Sequence, residues 1–330
     1  MIFSRLVIIL FLLFHFQLTN AQTHNRFEKA DSIVAHYPNH GTDNLPYLAH
    51  ILTDSLDTDI EKYRAIFMWV SHNISNDYYL YRENIRNRNK LKNNPEKLSR
   101  WERNYSAKVF KRLNNTQQSM CTGYAFLIHE LCLHAGIKSK IINGYGRTST
   151  TNVKKSSPIN HSWNAVLIED DWYLSDATWS SGYIRSDNKS FVPVKDDSYF
   201  LIDPQQFWRT HFPEDMNWIL FDNPPQFEDF INGPIIYRSF YKFKLELLSS
   251  PGFRVEVDNK EPVVIALKHL DPTLKPHFTY NLNSNKINAS QVANEDSTYY
   301  LTFEFKKSGI YDLQILANNE NLLSYQVVVK

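Results

Sequence analysis

Both cysteines of this 330-residue chain lie in one stretch, residues 118–140, with the sequence QSMCTGYAFLIHELCLHAGIKSK. Apolar residues recur in it at three- and four-residue spacings, which predicts a helix capped by Ser119 and ended by Gly136. Cys121 and Cys132 then lie about 16 Å apart along the helix axis. A disulfide needs Cα atoms within about 7 Å of each other. The spacing therefore predicts two free thiols and a fold that must accommodate them.

The two cysteines differ in their predicted surroundings. Cys121 falls in the first turn of the helix, where unpaired N–H groups and the helix dipole favour a thiolate. Gly123 beside it removes bulk, so that another group can approach closely. Cys132 lies among leucines and is predicted to be a small buried apolar residue. For Cys121 the alternative is a merely buried cysteine, and its placement alone does not decide between burial and reactivity.

The N-terminal residues, MIFSRLVIILFLLFHFQLTNAQ, predict an export signal. Arg5 forms a short basic region, an apolar run follows at residues 6–16, and small residues precede a cleavage position after Ala21. We therefore expect residues 1–21 to be a signal peptide, and the mature protein to be soluble and either periplasmic, on the cell surface or secreted. An uncleaved N-terminal anchor is the alternative. No later stretch is long and apolar enough to predict a transmembrane segment.

The composition argues against nucleic acid as a partner. The chain has 36 Lys and Arg against 35 Asp and Glu, a formal net charge of +1, so no global attraction to phosphate is expected. Aromatic residues make up 14% of the chain and there are 9 glycines, which indicates a packed globular protein. The roughly 300 residues after the signal segment suffice for one large domain or two of ordinary size.

The segment INHSWNAVLIEDDWYLSDATWSSG predicts a β-hairpin. One alternating strand opens at His161, the charged run Glu169–Asp171 is a turn signal, and the returning strand closes at Asp176. His161 and Asp176 then point to the same face of the sheet. A simple register that turns at the last two residues of the charged run sets Asp176 opposite Ala165. A wider loop or a bulge is therefore needed to bring the two side chains into hydrogen-bond reach.

Cys121, His161 and Asp176 together are the residue set of a thiol catalytic triad. In such a set the thiolate attacks a carbonyl carbon, and the imidazole accepts the thiol proton and later gives it to the leaving group. The carboxylate holds the imidazole in the required tautomer. A helix N-terminus that faces a hairpin suits this chemistry, because the helix polarises the thiol while the sheet fixes the base.

Two other patterns have simpler explanations. The run HELCLH places His129 and His134 about 140° apart around a helix, whereas a zinc-protease helix needs its histidines on one face, so both are predicted to be ordinary helix residues. The basic segment 82–112 could bind a polyanion or an acidic envelope polymer. Its uninterrupted polarity favours a solvated insertion or loop.

The remaining patterns predict a helix beside the core and a β-rich module. A three-four rhythm of apolar residues over Thr58–Asn73 indicates an amphipathic helix. From Ile235 to Lys330, short alternating runs separated by turn residues indicate an immunoglobulin-like β-sandwich. This module is either a structural cap or a recognition surface for a partner or substrate, and the sequence leaves the two open.

Four motifs in order resemble the core of the transglutaminase-like superfamily: YRAIFMWVSHNISNDY, CTGYAFLIHELCLHAGI, GYGR and NHSWNAVLIEDDWYLSDATW. The later run SYFLIDPQQFWRTHFPEDMNWILF resembles the kyphoscoliosis-peptidase branch of that family. The resemblance covers about residues 57–240. We therefore expect a transglutaminase-like domain with N-terminal helices over residues 22–234 and the β-sandwich over residues 235–330.

The resemblance implies an α+β, papain-like fold, with the cysteine-bearing helix against an antiparallel sheet. It implies Cys121 as nucleophile, His161 as base and Asp176 as orienting carboxylate, acting on amide bonds of protein or peptide substrates through a thioester. Hydrolysis and transfer to an amine both fit, with the branch favouring a peptidase slightly. Gln117 and Gln118 are nearby candidates for the second oxyanion donor, beside the Cys121 N–H.

No metal and no cofactor are expected, because the family's calcium sites have no clear counterpart in this sequence. The alternative to an enzyme is a non-catalytic envelope protein that retains the fold for binding or assembly. Members of the superfamily can lose the cysteine, whereas this chain keeps all three triad residues. The C-terminal module is the expected contact for an envelope polymer or a partner protein.

Overall fold

The computed structural model describes residues 26–151, 153–259, 261–271, 273–283, 285–288, 292–295 and 297–330. The predicted signal segment, residues 1–21, lies outside the described residues. The helices are α1 (Glu28–His36), α2 (Leu45–Thr53), α3 (Asp59–Asn73), α4 (Tyr78–Leu91), α5 (Pro95–Thr116), α6 (Cys121–His134), α7 (Ala177–Ser181), α8 (Pro204–Phe207), α9 (Phe227–Asn232) and α10 (Arg238–Lys242), with a 3₁₀ turn at Met216–Trp218. Within the described ranges, no helix has the length and apolar character to cross a membrane.

The strands fall into two groups along the chain. Those before residue 234 are β1 (Ser75–Asn76), β2 (Gln118–Ser119), β3 (Ser139–Gly146), β4 (His161–Ile168), β5 (Asp171–Ser175), β6 (Gly182–Ile184), β7 (Phe191–Pro193) and β8 (His211–Pro213). Those after it are β9 (Ile235–Ile236), β10 (Leu245–Ser249), β11 (Arg254–Val257), β12 (Val263–His269), β13 (Phe278–Leu282), β14 (Asn285–Asn288), β15 (Val292–Glu295), β16 (Thr298–Phe303), β17 (Gly309–Ala317) and β18 (Glu320–Val329).

Helix α3 is the centre of the N-terminal half. Its first turn is fixed by a capping box, in which Thr58 Oγ1 accepts from the Glu61 N–H and the Glu61 carboxylate accepts from the Thr58 N–H. The helix predicted over Thr58–Asn73 is thus confirmed, with Thr58 as its cap. Residues 63–71 are all buried because α1, α2, α6 and α7 pack around them. The helix is therefore enclosed in its middle rather than amphipathic.

Helix α6 begins at Cys121 and carries both free cysteines. Gly136 follows it with φ of +77°, as predicted for a C′ residue. The prediction of Ser119 as N-cap is wrong, because Met120 occupies the cap position and no side chain caps the helix. Ser119 pairs in the parallel β1–β2 ladder instead. A Cβ atom at Gly123 would lie 1.9 Å from the Ser119 Oγ, so the glycine is required by the strand that crosses the first turn.

Helix α6 packs on an antiparallel sheet with the order β5-β4-β3-β8. Strand β4 opens at His161, as predicted, and the hairpin turns at residues 169–170, which both have positive φ. A two-residue turn of this kind matches the twist of the strands. The turn comes one residue earlier than predicted, so Leu174 rather than Asp176 lies opposite Ala165. The expected wider loop or bulge is therefore wrong, because this register already moves Asp176 two positions towards His161.

The basic segment 82–112 is helical, so its prediction as a loop is wrong. It forms most of α4 and α5, which lie between α3 and α6 along the chain. The Asp77 and Asn94 side chains cap the two helices. Tyr105 and Val109, four residues apart on α5, are buried and form part of a small apolar cluster of their own. Such a sparse apolar stripe is easily lost among the charged residues of the sequence.

Residues after 235 form the β-sandwich that the sequence predicts. One sheet has the order β10-β12-β16-β15, and the other has the order β11-β18-β17-β13-β14 with β9 paired to β18. These orders correspond to the A-B-E-D and G-F-C sheets of the immunoglobulin fold. The predicted α+β architecture with a C-terminal immunoglobulin-like sandwich is confirmed.

One apolar cluster joins the sandwich to the sheet of the N-terminal half. It includes Trp163 of β4, Phe207 of α8 and Phe240 of α10, each at most 1% exposed, and it continues into the interior of the sandwich. Helix α10 itself packs against β10 and β18. The predicted domain boundary after residue 234 thus crosses a continuous core, and it stays a prediction.

Candidate active site

Cys121 lies at the N-terminus of α6, 4% exposed, beside a narrow cavity. Its backbone N–H has no carbonyl partner within the helix, and the helix dipole favours negative charge at this end. The Cys121 thiol and the His161 imidazole line this cavity together, and the thiol is among the groups that raise the pKa of His161. Cys132 is fully buried, and burial raises the pKa of its thiol to about 12. Of the two thiols, Cys121 is the one that the fold places beside a base.

The His161 imidazole lies between the thiol and a carboxylate. Its Nε2 is 2.6 Å from Asp176 Oδ2, and the residue is 7% exposed. A Cβ atom at Gly146 would approach the imidazole to 3.0 Å, so this glycine of the GYGR motif leaves room for the ring. Burial alone would lower the pKa of His161, but the Asp176 carboxylate and the Cys121 sulfur raise it to about 10. The geometry therefore favours an imidazolium at neutral pH.

Asp176 directly follows β5 and caps the short helix α7. Its Oδ1 accepts from the N–H groups of Thr178 (2.8 Å) and Trp179 (3.1 Å), while its Oδ2 accepts from His161. The side chain is 1% exposed. Burial favours the neutral acid, yet the charge of His161 and the hydrogen bonds from two imidazoles hold the pKa of this carboxyl well below its usual range. Asp176 is therefore a fully buried carboxylate with every contact supplied by a donor.

The second imidazole belongs to His211, which sequence reasoning missed. Its Nε2 lies 3.0 Å from Asp176 Oδ2, and its ring stacks on Phe207 with ring centroids 4.0 Å apart. Because β8 pairs with β3 and β3 pairs with β4, the sheet register places His211 near His161, with ring centroids 5.3 Å apart. The one signal in the sequence was its place in the run that resembles the kyphoscoliosis-peptidase branch.

His161, Asp176 and His211 also form, among the described residues, a group whose ligand atoms lie within 4.8 Å of one another. Such a group could hold a metal ion if the side chains rearranged. The two nitrogen–oxygen distances of 2.6 and 3.0 Å are hydrogen-bond lengths, and both are shorter than the roughly 3.3 Å that separates two ligands bound about 2.0 Å from one tetrahedral zinc ion. The arrangement is that of a hydrogen-bonded network.

Helix α4 covers the thiol. The cavity beside Cys121 has a volume of about 10 Å³, room for roughly one water molecule. Asn84 and Arg88 of α4 line it together with Cys121, Thr122, Asn143, Asn160, His161 and Ser162. Arg88 Nε donates to Asn84 Oδ1 (3.1 Å), and the Arg88 guanidinium pairs with Glu102 (2.8 Å). Because the Arg88 N–H donates to it, the Asn84 amide atom that faces Arg88 is the oxygen. The Nδ2 donor of Asn84 therefore points away from Arg88.

The two glutamines predicted as oxyanion donors are engaged elsewhere. The Gln117 side-chain amide donates to the backbone carbonyl of His40. The Gln118 carbonyl oxygen accepts from the Arg112 guanidinium at 2.7 Å. Neither glutamine lines the cavity beside Cys121. Asn84, more than thirty positions earlier in the chain, gave no local sequence signal for this site.

Comparison with known proteins agrees with the fold. The profile of the transglutaminase-like superfamily matches residues 46–177, a range that contains Cys121, His161 and Asp176. Human kyphoscoliosis peptidase is 31% identical over 263 residues, which cover 79% of this chain and 36% of the human protein. Residues 46–177 belong to the transglutaminase-like superfamily. Hillarin of Drosophila melanogaster is 26% identical over 232 residues, 66% of this chain and 26% of hillarin. The chain thus spans about a third of the human relative and about a quarter of hillarin.

Likeness to solved structures is weaker. A crystal structure of a TGase matches with 16% identity and a TM-score of 0.28, over 56% of this chain and 45% of that chain. The Lin-41 filamin domain matches with 11% identity and a TM-score of 0.22, over 30% of this chain and 97% of that domain. The functional argument for the transglutaminase-like domain therefore rests on its own site.

Proposed function

We propose that this protein is a thiol enzyme that acts on amide bonds of protein or peptide substrates through Cys121, His161 and Asp176. The observation that carries the proposal is the buried 2.6 Å contact between His161 and Asp176 beside a thiol at a helix N-terminus. In this arrangement the Cys121 thiolate attacks the amide carbonyl carbon. The His161 imidazolium gives its proton to the leaving nitrogen as the C–N bond breaks, which leaves a thioester on Cys121.

The developing oxyanion needs two donors. The first is the Cys121 backbone N–H, which is unpaired within the helix. For the second we infer the Asn84 amide, because Asn84 lines the same cavity and Arg88 occupies its oxygen. The cavity lining is polar, and the charge of Arg88 is already paired with Glu102. The cavity therefore suits a substrate with a neutral carboxamide.

Water or an amine then attacks the thioester, with His161 as general base, and releases Cys121. Attack by water gives a peptidase, and attack by an amine gives a transglutaminase. The kinship with kyphoscoliosis peptidase favours hydrolysis, although the chain covers about a third of that relative. A non-catalytic envelope protein that binds or assembles through the same fold is the second candidate, favoured by the narrow cavity over Cys121.

Export to the periplasm, the cell surface or the medium is part of the proposal and is supported by the N-terminal sequence alone. An exported enzyme would meet envelope proteins or an envelope polymer as substrate or partner. The β-sandwich is the module proposed to hold such a partner.

Thiol labelling tests the proposal. In the native protein, iodoacetamide is expected to label Cys121 at least about tenfold faster than Cys132, because Cys121 lies beside the His161 imidazole whereas burial keeps the Cys132 thiol protonated. Cys132→Ala is the matched control and should label like the wild type, whereas Cys121→Ala should label only after denaturation. Equal, slow labelling of both native thiols would contradict a catalytic role and favour the binding protein.

Incubation with a glutamine-containing protein and a fluorescent amine separates the two enzyme classes. Incorporation of the amine that depends on Cys121 identifies acyl transfer. New peptide N-termini without incorporation identify hydrolysis.

A further inference from the structure

His211 is a buried histidine that the proposed chemistry does not use. It is 1% exposed and lies among aromatic rings, with Phe207 stacked on it at 4.0 Å and Trp179 at 4.3 Å between ring centroids. Its Nε2 reaches Asp176 Oδ2, the same oxygen that accepts from His161. The two imidazoles therefore hold one carboxylate oxygen from two sides.

The neighbours of His211 fix its tautomer. A carboxylate only accepts hydrogen bonds, so the Nε2 that faces Asp176 must carry a proton. Burial lowers the pKa of His211 to about 4 despite the opposing effect of Asp176, so the ring is neutral and its Nδ1 is an acceptor. The donor to Nδ1 is then the Thr210 hydroxyl, 2.9 Å away.

The chain of contacts continues out of the sheet. Thr210 Oγ1 lies 3.0 Å from the Tyr241 hydroxyl. Because the Thr210 proton goes to His211, Tyr241 must donate this bond, although the Gln206 carbonyl lies at a similar distance of 3.1 Å from its hydroxyl. Tyr241 is on α10, the helix that packs against β10 and β18 of the sandwich. A chain of hydrogen bonds thus runs from Tyr241, on the helix beside the sandwich, through Thr210 and His211 to Asp176.

We propose that His211 is a positioning residue, held in one tautomer by Thr210 and Tyr241, that fixes Asp176 for His161 and ties the reactivity of Cys121 to helix α10. The catalytic consequence rests on the proposed function, whereas the positioning itself does not. Asp176 accepts four hydrogen bonds, from two backbone N–H groups and two imidazoles. Loss of the His211 donor leaves a buried lone pair unsatisfied and removes a contact that favours the ionised carboxyl.

The titratable groups that face His211 are one carboxylate, one imidazole and two phenols. Asp176 and His161 lie on one side, and the phenols of Tyr199 and Tyr241 lie near the ring and beyond Thr210. Burial raises the pKa of both phenols, so they stay neutral through the physiological range. Because neither phenol titrates in this range, a change in Cys121 reactivity after substitution of His211 is assigned to the altered contact between His161 and Asp176.

The test compares two variants of the full chain. His211→Gln keeps an N–H donor at similar reach, whereas His211→Leu removes it. The measured quantity is the rate of Cys121 alkylation from pH 4 to 9, normalised to the folded fraction at each pH. For His211→Leu we expect the alkylation rate at pH 6 to be at least tenfold lower than in the wild type. The acid limb, in which the rate falls as the pH is lowered, should move to higher pH by about one unit. For His211→Gln we expect rates within about threefold of the wild type at every pH. Equal profiles for both variants, or a lower melting temperature in His211→Leu with the wild-type profile, would overturn the proposal.

Thr210→Val provides a milder variant if His211→Leu does not fold. It keeps the side-chain shape and removes the donor to Nδ1, so an intermediate shift of the acid limb is expected. An unchanged limb in Thr210→Val would contradict the tautomer argument.

Nitrogen-15 NMR of labelled histidines separates this inference from the proposed function. In the wild type, His211 is expected as the neutral Nε2–H tautomer down to about pH 5. That result with no turnover would leave the positioning role standing and reject the enzyme. A His211 ring protonated at pH 7, or present as the Nδ1–H tautomer, would reject the positioning role whatever the turnover.

Discussion

At the scale of single residues, one carboxylate, that of Asp176, makes several contacts at once in the candidate site. Asp176 caps α7 with one oxygen and receives His161 and His211 with the other. Each of these donors comes from a different part of the sheet edge, so the carboxylate also joins β4, β8 and α7. Structural and chemical roles therefore coincide in this residue, and its substitution will affect both.

Stability should depend on pH through the His161–Asp176 pair. The pKa of His161 is raised to about 10, so its contribution is fully present below the unfolded value of about 6.5 and is lost as pH rises towards 10. Asp176, with its lowered pKa, contributes stability that is present above about pH 4 and lost as pH falls. Between pH 7 and 10 we expect the urea-unfolding free energy of the wild type to fall by roughly 1–3 kcal/mol more than that of His161→Gln. Parallel curves for the two proteins would show that His161 is not stabilised in its charged form.

The Asn84 amide gives a second test at this scale. If it meets the oxyanion, Asn84→Ala should lower kcat by roughly 10²–10³. Alkylation of Cys121 forms no oxyanion and should change little. Asn143→Ala is a matched control, because Asn143 lines the same cavity but its Oδ1 accepts from Ser162. Equal losses of turnover in both variants would assign the effect to the cavity lining in general.

The three site residues proposed from the sequence each have a local signature, whereas His211 and Asn84, which the structure adds to the candidate site, have none. Cys121 follows from helix periodicity, and His161 and Asp176 follow from strand alternation around a charged turn. His211 reaches the site through the pairing of β8 with β3, and Asn84 reaches it because α4 lines the cavity beside Cys121. Such long-range contacts depend on sheet order and helix packing, which no window of a single sequence contains.

At the scale of elements, small shifts of register decide what the side chains can do. The turn of the β4–β5 hairpin was predicted within the run Glu169–Asp171, but three charged residues do not reveal which two adopt positive φ. The observed choice of 169–170 moves Asp176 by two positions along β4. The existence of the hairpin was predictable, whereas its contact with His161 required the exact turn.

The crossing of β2 over α6 leaves little space for a side chain at position 123. Ala normally stabilises a helix over Gly by roughly 0.5–1 kcal/mol. At position 123 the added methyl would meet the Ser119 Oγ at 1.9 Å, so Gly123→Ala should instead destabilise the protein by about 1–3 kcal/mol in urea unfolding.

The Ser119→Gly/Gly123→Ala double variant should recover most of that loss, because it removes the opposing side chain. Ser119→Ala alone is the control and should be nearly neutral, since the Ser119 hydroxyl has no hydrogen-bond partner. Additive effects in the double-mutant cycle would rule out the predicted clash.

At the scale of the whole molecule, the transglutaminase-like half and the sandwich share one apolar cluster. Phe240 and Tyr241 belong to the C-terminal module by sequence, yet they lie in the same cluster as Trp163 and Phe207 of the N-terminal half. The alternating strands predicted the sandwich itself. Its attachment was not predictable, because aromatic residues at a junction have the same pattern as aromatic residues inside a domain.

A fragment of residues 235–330 should therefore fold but be weaker than in the full chain. We expect β-type circular dichroism and a cooperative transition, at a lower urea midpoint than that of the intact protein, because the shared cluster loses one side. Phe240→Ala in the full chain is the companion variant, with an expected cost of about 3–5 kcal/mol. An unfolded fragment would place these strands within the enzyme domain and move the boundary.

The cover that α4 forms over Cys121 has a kinetic consequence. If Cys121 is a nucleophile, a peptide would reach it only after α4 moves, because the cavity beside the thiol has a volume of only about 10 Å³. Helix α4 is fastened to α5 by a few contacts, among them Tyr105 Oη to the Leu80 carbonyl and Lys108 to Glu83. The observed rate would then be the product of a pre-equilibrium and an intrinsic rate, with a plateau at the opening frequency of α4 when substrate is abundant. Substrates would then be selected first by their ability to displace α4 and only afterwards by the bond that is cut.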